Sequence, residues 1–124
     1  MARLFHFVTA HSDGSEEGYK FWCPSCDEMH RFRTKAPNVL RSDNKPWPVW
    51  KFDGNMEFPT FTPSLRSFYT EPDSGVMVTL CHLTLTAGKI TYHGDQPKDR
   101  KGLAWAGRVV DLPTPTAEQI LSWL

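Results

Sequence analysis

The chain has 124 residues, 40% of them hydrophobic and 13% aromatic, which suits one domain over residues 1–124 with a modest core. Its 14 basic and 14 acidic residues cancel, so no global field draws in nucleic acid, anionic lipid or an acidic substrate. The opening MARLFHFVTAHSDG lacks the features of a signal peptide, and no run approaches the roughly 18 apolar residues of a membrane helix, so a cytoplasmic protein without membrane contact is expected.

Along the chain, short strands alternate with turn-rich loops. RLFHFV at 3–8 alternates as a strand does, and HSDGSEEG at 11–18 reads as a polar turn before YKFW. MHRFRT at 29–34 alternates again, which places Cys23 and Cys26 at the tip of a β-hairpin. After a loop at 35–46, WPVWKFDG at 47–54 reads as an edge or irregular strand, because proline cannot donate to a ladder. In FPTFTPSLR two prolines impose extended backbone before a strand begins at Ser64. VMVTLCHLTLT at 76–86, the turn Ala87-Gly88 and KITYH at 89–93 form the clearest hairpin, β-branched throughout. A charged loop at 94–102 precedes a last strand in GRVVDLP, and TPTAEQILSWL reads as a short amphipathic helix with a capping box from Thr116 to Gln119. The expected fold is mainly β: seven or eight strands in small antiparallel sheets around a zinc-ribbon-like CxxC knuckle, with one short C-terminal helix.

Three cysteines in a reducing compartment point to metal or catalysis before disulfides. A C-x-x-C on a hairpin tip aims two thiolates at one cation, and a tetrahedral zinc needs two more donors. Cys81 is the third. His82 follows it directly and is preferred as the fourth, with His30, four residues beyond the knuckle, as the competitor. Neighbours on a regular strand face opposite ways, so Cys81 and His82 can share a metal only if the strand bends or ends there. A thioredoxin-like redox pair would open a helix, whereas DEMHRFRT alternates as a strand. A zinc deaminase needs an H-x-E that the chain lacks. Three unliganded core thiols are the plain alternative, and His6, His11 and His93 read as structural histidines.

CPSCDEMHRF, then WKFDG with PTFTPSLR, then CHLTLTAGKITYHGD, then LAWAGRVVDLP, taken in this order, resemble a family of small proteins of tailed phages and prophages. The resemblance covers most of residues 21–113. It implies a β-rich metal-binding domain with Cys23, Cys26, His30, Cys81 and His82 at matching positions. The name "ammonia monooxygenase" often attached to such proteins does not suit a chain of 124 residues with neither membrane spans nor a copper site. Members commonly carry a histidine shortly before the Leu-Ala-Gly segment, where this chain reads DQPKDRKGLAWAG; a catalytic role there would be lost.

Around the proline-stiffened segment, Thr60, Thr62, Ser64 and Arg66 could present hydroxyls and a guanidinium to a phosphate or carboxylate, with Trp47 and Trp50 lining the groove. The alternative is an irregular strand that protects a sheet edge. Basic clusters stand at 31–35 and 98–101. No paired carboxylates, Ser-His-Asp order or phosphate-cradling glycine loop has a recognisable local signature. The expected function is therefore a zinc-stabilised, non-enzymatic phage accessory protein that binds a host protein or a nucleotide, with counter-defence as one setting, in the cytoplasm of the infected or lysogenic bacterium. The first alternative is a small zinc hydrolase with an open metal position and Glu28 or Asp27 as base. A nucleic-acid-binding ribbon using Arg31, Arg33 and Lys35 is the weaker one.

Overall fold

The computed structural model describes residues 2–12, 14–41, 43–94 and 105–122. Strands β1 (Phe5–His11), β2 (Gly14–Cys23) and β3 (Glu28–Lys35) form one antiparallel sheet in chain order. Strands β4 (Lys51–Phe52), β5 (Phe61–Thr70), β6 (Met77–Thr86), β7 (Lys89–Tyr92) and β8 (Val109–Asp111) form a second, also in chain order and antiparallel. The short helix α1 (Ala117–Leu121) follows. Its N-cap Thr116 accepts from the Gln119 N–H while the Gln119 side chain accepts from the Thr116 N–H, the reciprocal capping box that the sequence carries. The fold is mainly β, as the alternation implies. Among the described residues, no helix is long and apolar enough to cross a membrane.

The β6–β7 hairpin turns on Ala87 (φ 48°) and Gly88 (φ 76°), and two consecutive left-handed residues match the twist of the flanking strands. Two expectations shift. The turn expected at 11–18 shrinks, since β2 already starts at Gly14; its polar composition hid a strand whose Glu16 is buried against Arg33. Strand β5 begins at Phe61 and not at Ser64, running through Pro63, whose bond to Thr62 is cis. The pairing of β5 with β6 is interrupted between Phe61 and Leu65, so Pro63 withholds no N–H that the ladder uses. The basic cluster at 98–101, most of the loop at 94–102, and Trp123 lie outside the described residues.

Inward-facing residues of both sheets make one core: Phe21, Cys23 and Phe32 from the first, and Phe61, Leu65, Cys81, Leu83, Leu85, Ile90 and Tyr92 from the second, with Leu4 ahead of β1 and Leu112 beyond β8. Rings join the sheets. Phe32 stacks on Phe61 at 4.3 Å and Phe61 on Phe52 at 4.6 Å, burying large apolar area without any hydrogen-bond demand. Trp50 adds a backbone tie, its N–H donating to the Arg33 carbonyl at 2.7 Å.

Candidate functional site

The knuckle forms where β2 runs out. Cys23 ends that strand, the Cys26 N–H turns back to the Cys23 carbonyl at 3.2 Å, and Asp27 takes a left-handed φ of 53° before β3 starts. Phe21 faces His30 in the β2–β3 register, so His30 lies diagonally across from Cys23 on the inward side. Cys81 arrives from β6 in the other sheet, with its Sγ 4.0 Å from that of Cys23. One donor atom from each of Cys23, Cys26, His30 and Cys81 lies within 4.8 Å of all the others, close enough to hold a metal ion. The three cysteines are not disulfide-bonded.

The electrostatics of this cluster call for a cation. Hydrogen bonds from Cys26 and then Cys81 drive the Cys23 thiol far below its ordinary value, while hydrogen bonds to Cys23 and then Cys26 drive Cys81 up. Burial disfavours a charged His30, yet hydrogen bonding to Cys23 and Cys26 outweighs it and raises its pKa to about 10. The group thus gathers positive charge around a buried thiolate. The Nε2 of His30 is buried with no hydrogen-bond partner among the described residues, as suits a nitrogen whose partner is a metal. Tyr92, pushed well above the ordinary phenol range by burial and then by the thiolate of Cys23, stays protonated and donates to that sulfur at 3.3 Å, while its oxygen accepts from the Ser25 N–H at 3.4 Å.

His82, preferred as fourth ligand on sequence, stands elsewhere, and His30 takes the place beside the sulfurs. Strand alternation is the reason. Cys81 is 1% exposed and points into the core, so its neighbour points out through the other face of the sheet. There the Nε2 of His82 lies 2.9 Å from the Oγ of Ser64 on β5. His93, which follows β7, lays its ring flat on that of His82, 4.0 Å between centroids and 11° between planes, and its Nε2 is 2.6 Å from the Thr84 hydroxyl. The His93 N–H also donates to the His82 carbonyl at 3.0 Å. Ser64 is fixed from its own backbone, whose carbonyl accepts from the Trp50 indole at 3.1 Å. A serine hydroxyl within hydrogen-bond reach of an imidazole that other groups hold in place is the arrangement of an activated nucleophile and its base.

The other sequence candidates divide. Arg66 is the direct cross-strand partner of His82. Trp50 packs against the core beneath Ser64. Thr60 instead ties down the β6–β7 turn, its hydroxyl accepting from the Ala87 N–H at 2.8 Å, and Thr62 is exposed opposite Lys51. Trp47 lies under the Arg33 guanidinium at 5.0 Å. Arg33 and Arg31 both face Glu16, at 2.7 and 3.8 Å, which offsets part of the positive charge at 31–35. The Ser64–His82 pair was missed by the sequence reading because its members are 18 residues apart and meet only through the β5–β6 register. The sole trace was that one segment carried a stiffened serine and another a histidine left over by the metal.

Searches of curated proteins and of solved structures find no match. A family model described as bacterial ubiquitination-like system serine protease (BubE) matches residues 3–93, a stretch that contains the four residues of the metal cluster together with Ser64, His82 and His93. With well over half of its length matched, the chain belongs to the BubE family.

Proposed function

We propose that this protein is a serine peptidase of a bacterial ubiquitination-like system, with Ser64 as nucleophile, His82 as general base and a structural zinc behind the sheet. The observation that carries this reading is the 2.9 Å contact between Ser64 Oγ and His82 Nε2. His82 Nε2 takes the hydroxyl proton as Oγ attacks the carbonyl carbon of an amide bond, then gives that proton to the departing amine as the C–N bond breaks. The resulting ester on Ser64 is hydrolysed by water in the reverse sense, with His82 again accepting and returning a proton. The substrate class is a peptide or isopeptide bond in a protein of that system. The family description and the site geometry support the same chemistry independently.

Zinc fits the donor set of three thiolates and one imidazole. A tetrahedron with bonds of about 2.3 Å has edges of roughly 3.8 Å, and the 4.0 Å between Cys23 and Cys81 sulfurs is close to that. Bound there, zinc would supply structure, joining the two sheets. Four protein donors leave no position for a reactive water, so the zinc-hydrolase alternative, with Glu28 or Asp27 as base, loses its footing. The non-enzymatic binder gives way for another reason: the Ser64 hydroxyl is engaged by His82 instead of being presented to a ligand. The resemblance to small phage proteins supports a counter-defence setting, in which such a peptidase would undo conjugates made by the host.

The test is covalent labelling with a fluorophosphonate followed by peptide mapping. Ser64 becomes labelled in the parent protein, and labelling drops by about three orders of magnitude in Ser64→Ala and His82→Ala. Equal labelling in these folded variants overturns the proposal.

A further inference from the structure

The geometry points to Arg66 as the residue that selects the substrate of this peptidase: its guanidinium grips a carboxylate lying within two residues of the scissile carbonyl. The inference rests on the Ser64–His82 reading and adds to it the chemical class of what is bound. Along β5, Leu65 is 8% exposed and faces the core, so Ser64 and Arg66 stand together on the opposite, outer side. Two positions on a strand span about 6–7 Å, the same step that two residues of an extended substrate take. Arg66 is also paired across the ladder with His82, so nucleophile, base and guanidinium occupy adjoining positions on one face.

The head of Arg66 is held but not used up. Its Nε donates to the Thr79 hydroxyl at 2.7 Å, and its guanidinium carbon lies 6.0 Å from the centroid of the Phe68 ring. These contacts fix the plane of the group. Among the described residues, nothing bonds to Nη1 or Nη2, and no carboxylate pairs with the side chain. The terminal amines therefore present a planar fork to solvent beside the nucleophile, and such a fork matches the two oxygens of a carboxylate. The two arginines of the first sheet differ in this respect, since Arg31 and Arg33 already face Glu16. A lysine at this position would offer charge without the planar match.

The carboxylate has two sources, an Asp or Glu side chain near the cleaved bond or the free end of a short leaving tail. Internally quenched peptides carrying Glu, Gln or Lys at each position flanking the cleaved bond, with free or amidated C-termini, separate them. An acidic residue, or the free terminus, raises kcat/KM by roughly tenfold over its neutral counterpart, with the effect mainly in KM. Arg66→Gln removes the preference, Arg66→Glu inverts it in favour of Lys, and Arg66→Lys restores part of it. A merely structural arginine would slow all peptides alike. Fluorophosphonate labelling of Ser64 in the parent protein reports on the peptidase reading separately. Should that labelling fail, calorimetric binding of the same peptides to Ser64→Ala still tests Arg66: acid-selective binding that Arg66→Glu inverts upholds the assignment, and binding indifferent to charge overturns it. If labelling succeeds while the acid preference is absent, or survives Arg66→Glu, the peptidase stands and the role of Arg66 falls.

Discussion

Replacing Cys81 with alanine separates what holds the protein together from what reacts. Cys81 is the one donor of its cluster that comes from the second sheet, 58 residues from Cys23. Cross-linking two points that far apart removes roughly 4 kcal/mol of freedom from the unfolded chain by the loop-closure relation. That is a lower figure for the metal, because a buried thiolate left without its partner adds a further penalty. Against a total stability of about 5–15 kcal/mol, the loss should lower Tm by about 15 °C at this chain length. The assay is thermal unfolding in parallel with metal analysis of the purified protein. Cys81→Ala should lose both zinc stoichiometry and thermal stability, and a strong chelator should bring the parent towards the same Tm. His82→Ala, one residue along the same strand, should show the converse: full zinc, a nearly unchanged Tm and no labelling of Ser64. If Cys81→Ala keeps stoichiometric zinc with Tm within a few degrees, or if His82→Ala loses the metal, the division of the two faces is wrong.

Other consequences follow from single contacts. Tyr92→Phe removes the phenol that donates to the Cys23 sulfur and should weaken zinc binding about 10–100-fold in a competitive chelator titration. Glu16 is held below the ordinary 4.5, chiefly by its hydrogen bond from Arg33. A lowered folded-state pKa means that this contact stabilises the fold above 4.5 and is lost as pH falls through the lowered value; Glu16→Gln should therefore cost about 1–3 kcal/mol in urea unfolding at neutral pH, with the gap closing in acid. A Cβ on Gly18 would run into the Phe32 carbonyl and come 2.9 Å from the Cα of Arg33, so Gly18→Ala should destabilise by about 3 kcal/mol or more, read from the same denaturant curves.

The parts of the fold written in local chemistry were legible in the sequence. The β6–β7 hairpin announced itself through β-branched residues and Ala87-Gly88, the helix through its Thr116–Gln119 box, and the knuckle through its spacing. What the sequence concealed depended on pairing between distant strands. Ser64 meets His82 because β5 and β6 pair with a register interruption on each side of Leu65 to Ser67, and no short motif encodes that offset. The fourth ligand shows a different limit. Alternation already argued that Cys81 and His82 face apart, and followed through it releases His82 from the metal and leaves His30. The start of strand β2 is masked in the sequence because Ser15, Glu16 and Glu17 are polar, while in the fold the Glu16 carboxylate is buried among arginines. Composition reports the side chain alone, and burial depends on who stands next to it.

Two dipeptides, Cys81-His82 on β6 and Tyr92-His93 at the end of β7, each send one side chain to the cysteine cluster and the next to the outer face, where His82 meets Ser64 and His93 stacks on His82. The two centres are therefore written on alternate letters of the same text. A single-residue insertion or deletion between Ser64 and His93 that shifts the frame of either strand would turn sulfur towards the serine and imidazole towards the metal, disabling both at one stroke. Length variation in this half of the chain is tolerable only where the frame is reset, as in the exposed Glu71–Gly75 turn, whose ends are closed by its own backbone hydrogen bonds. The protein can acquire new reach there, at the far end of the two strands that carry Ser64 and His82, while the strands themselves are free to change letters but not their count.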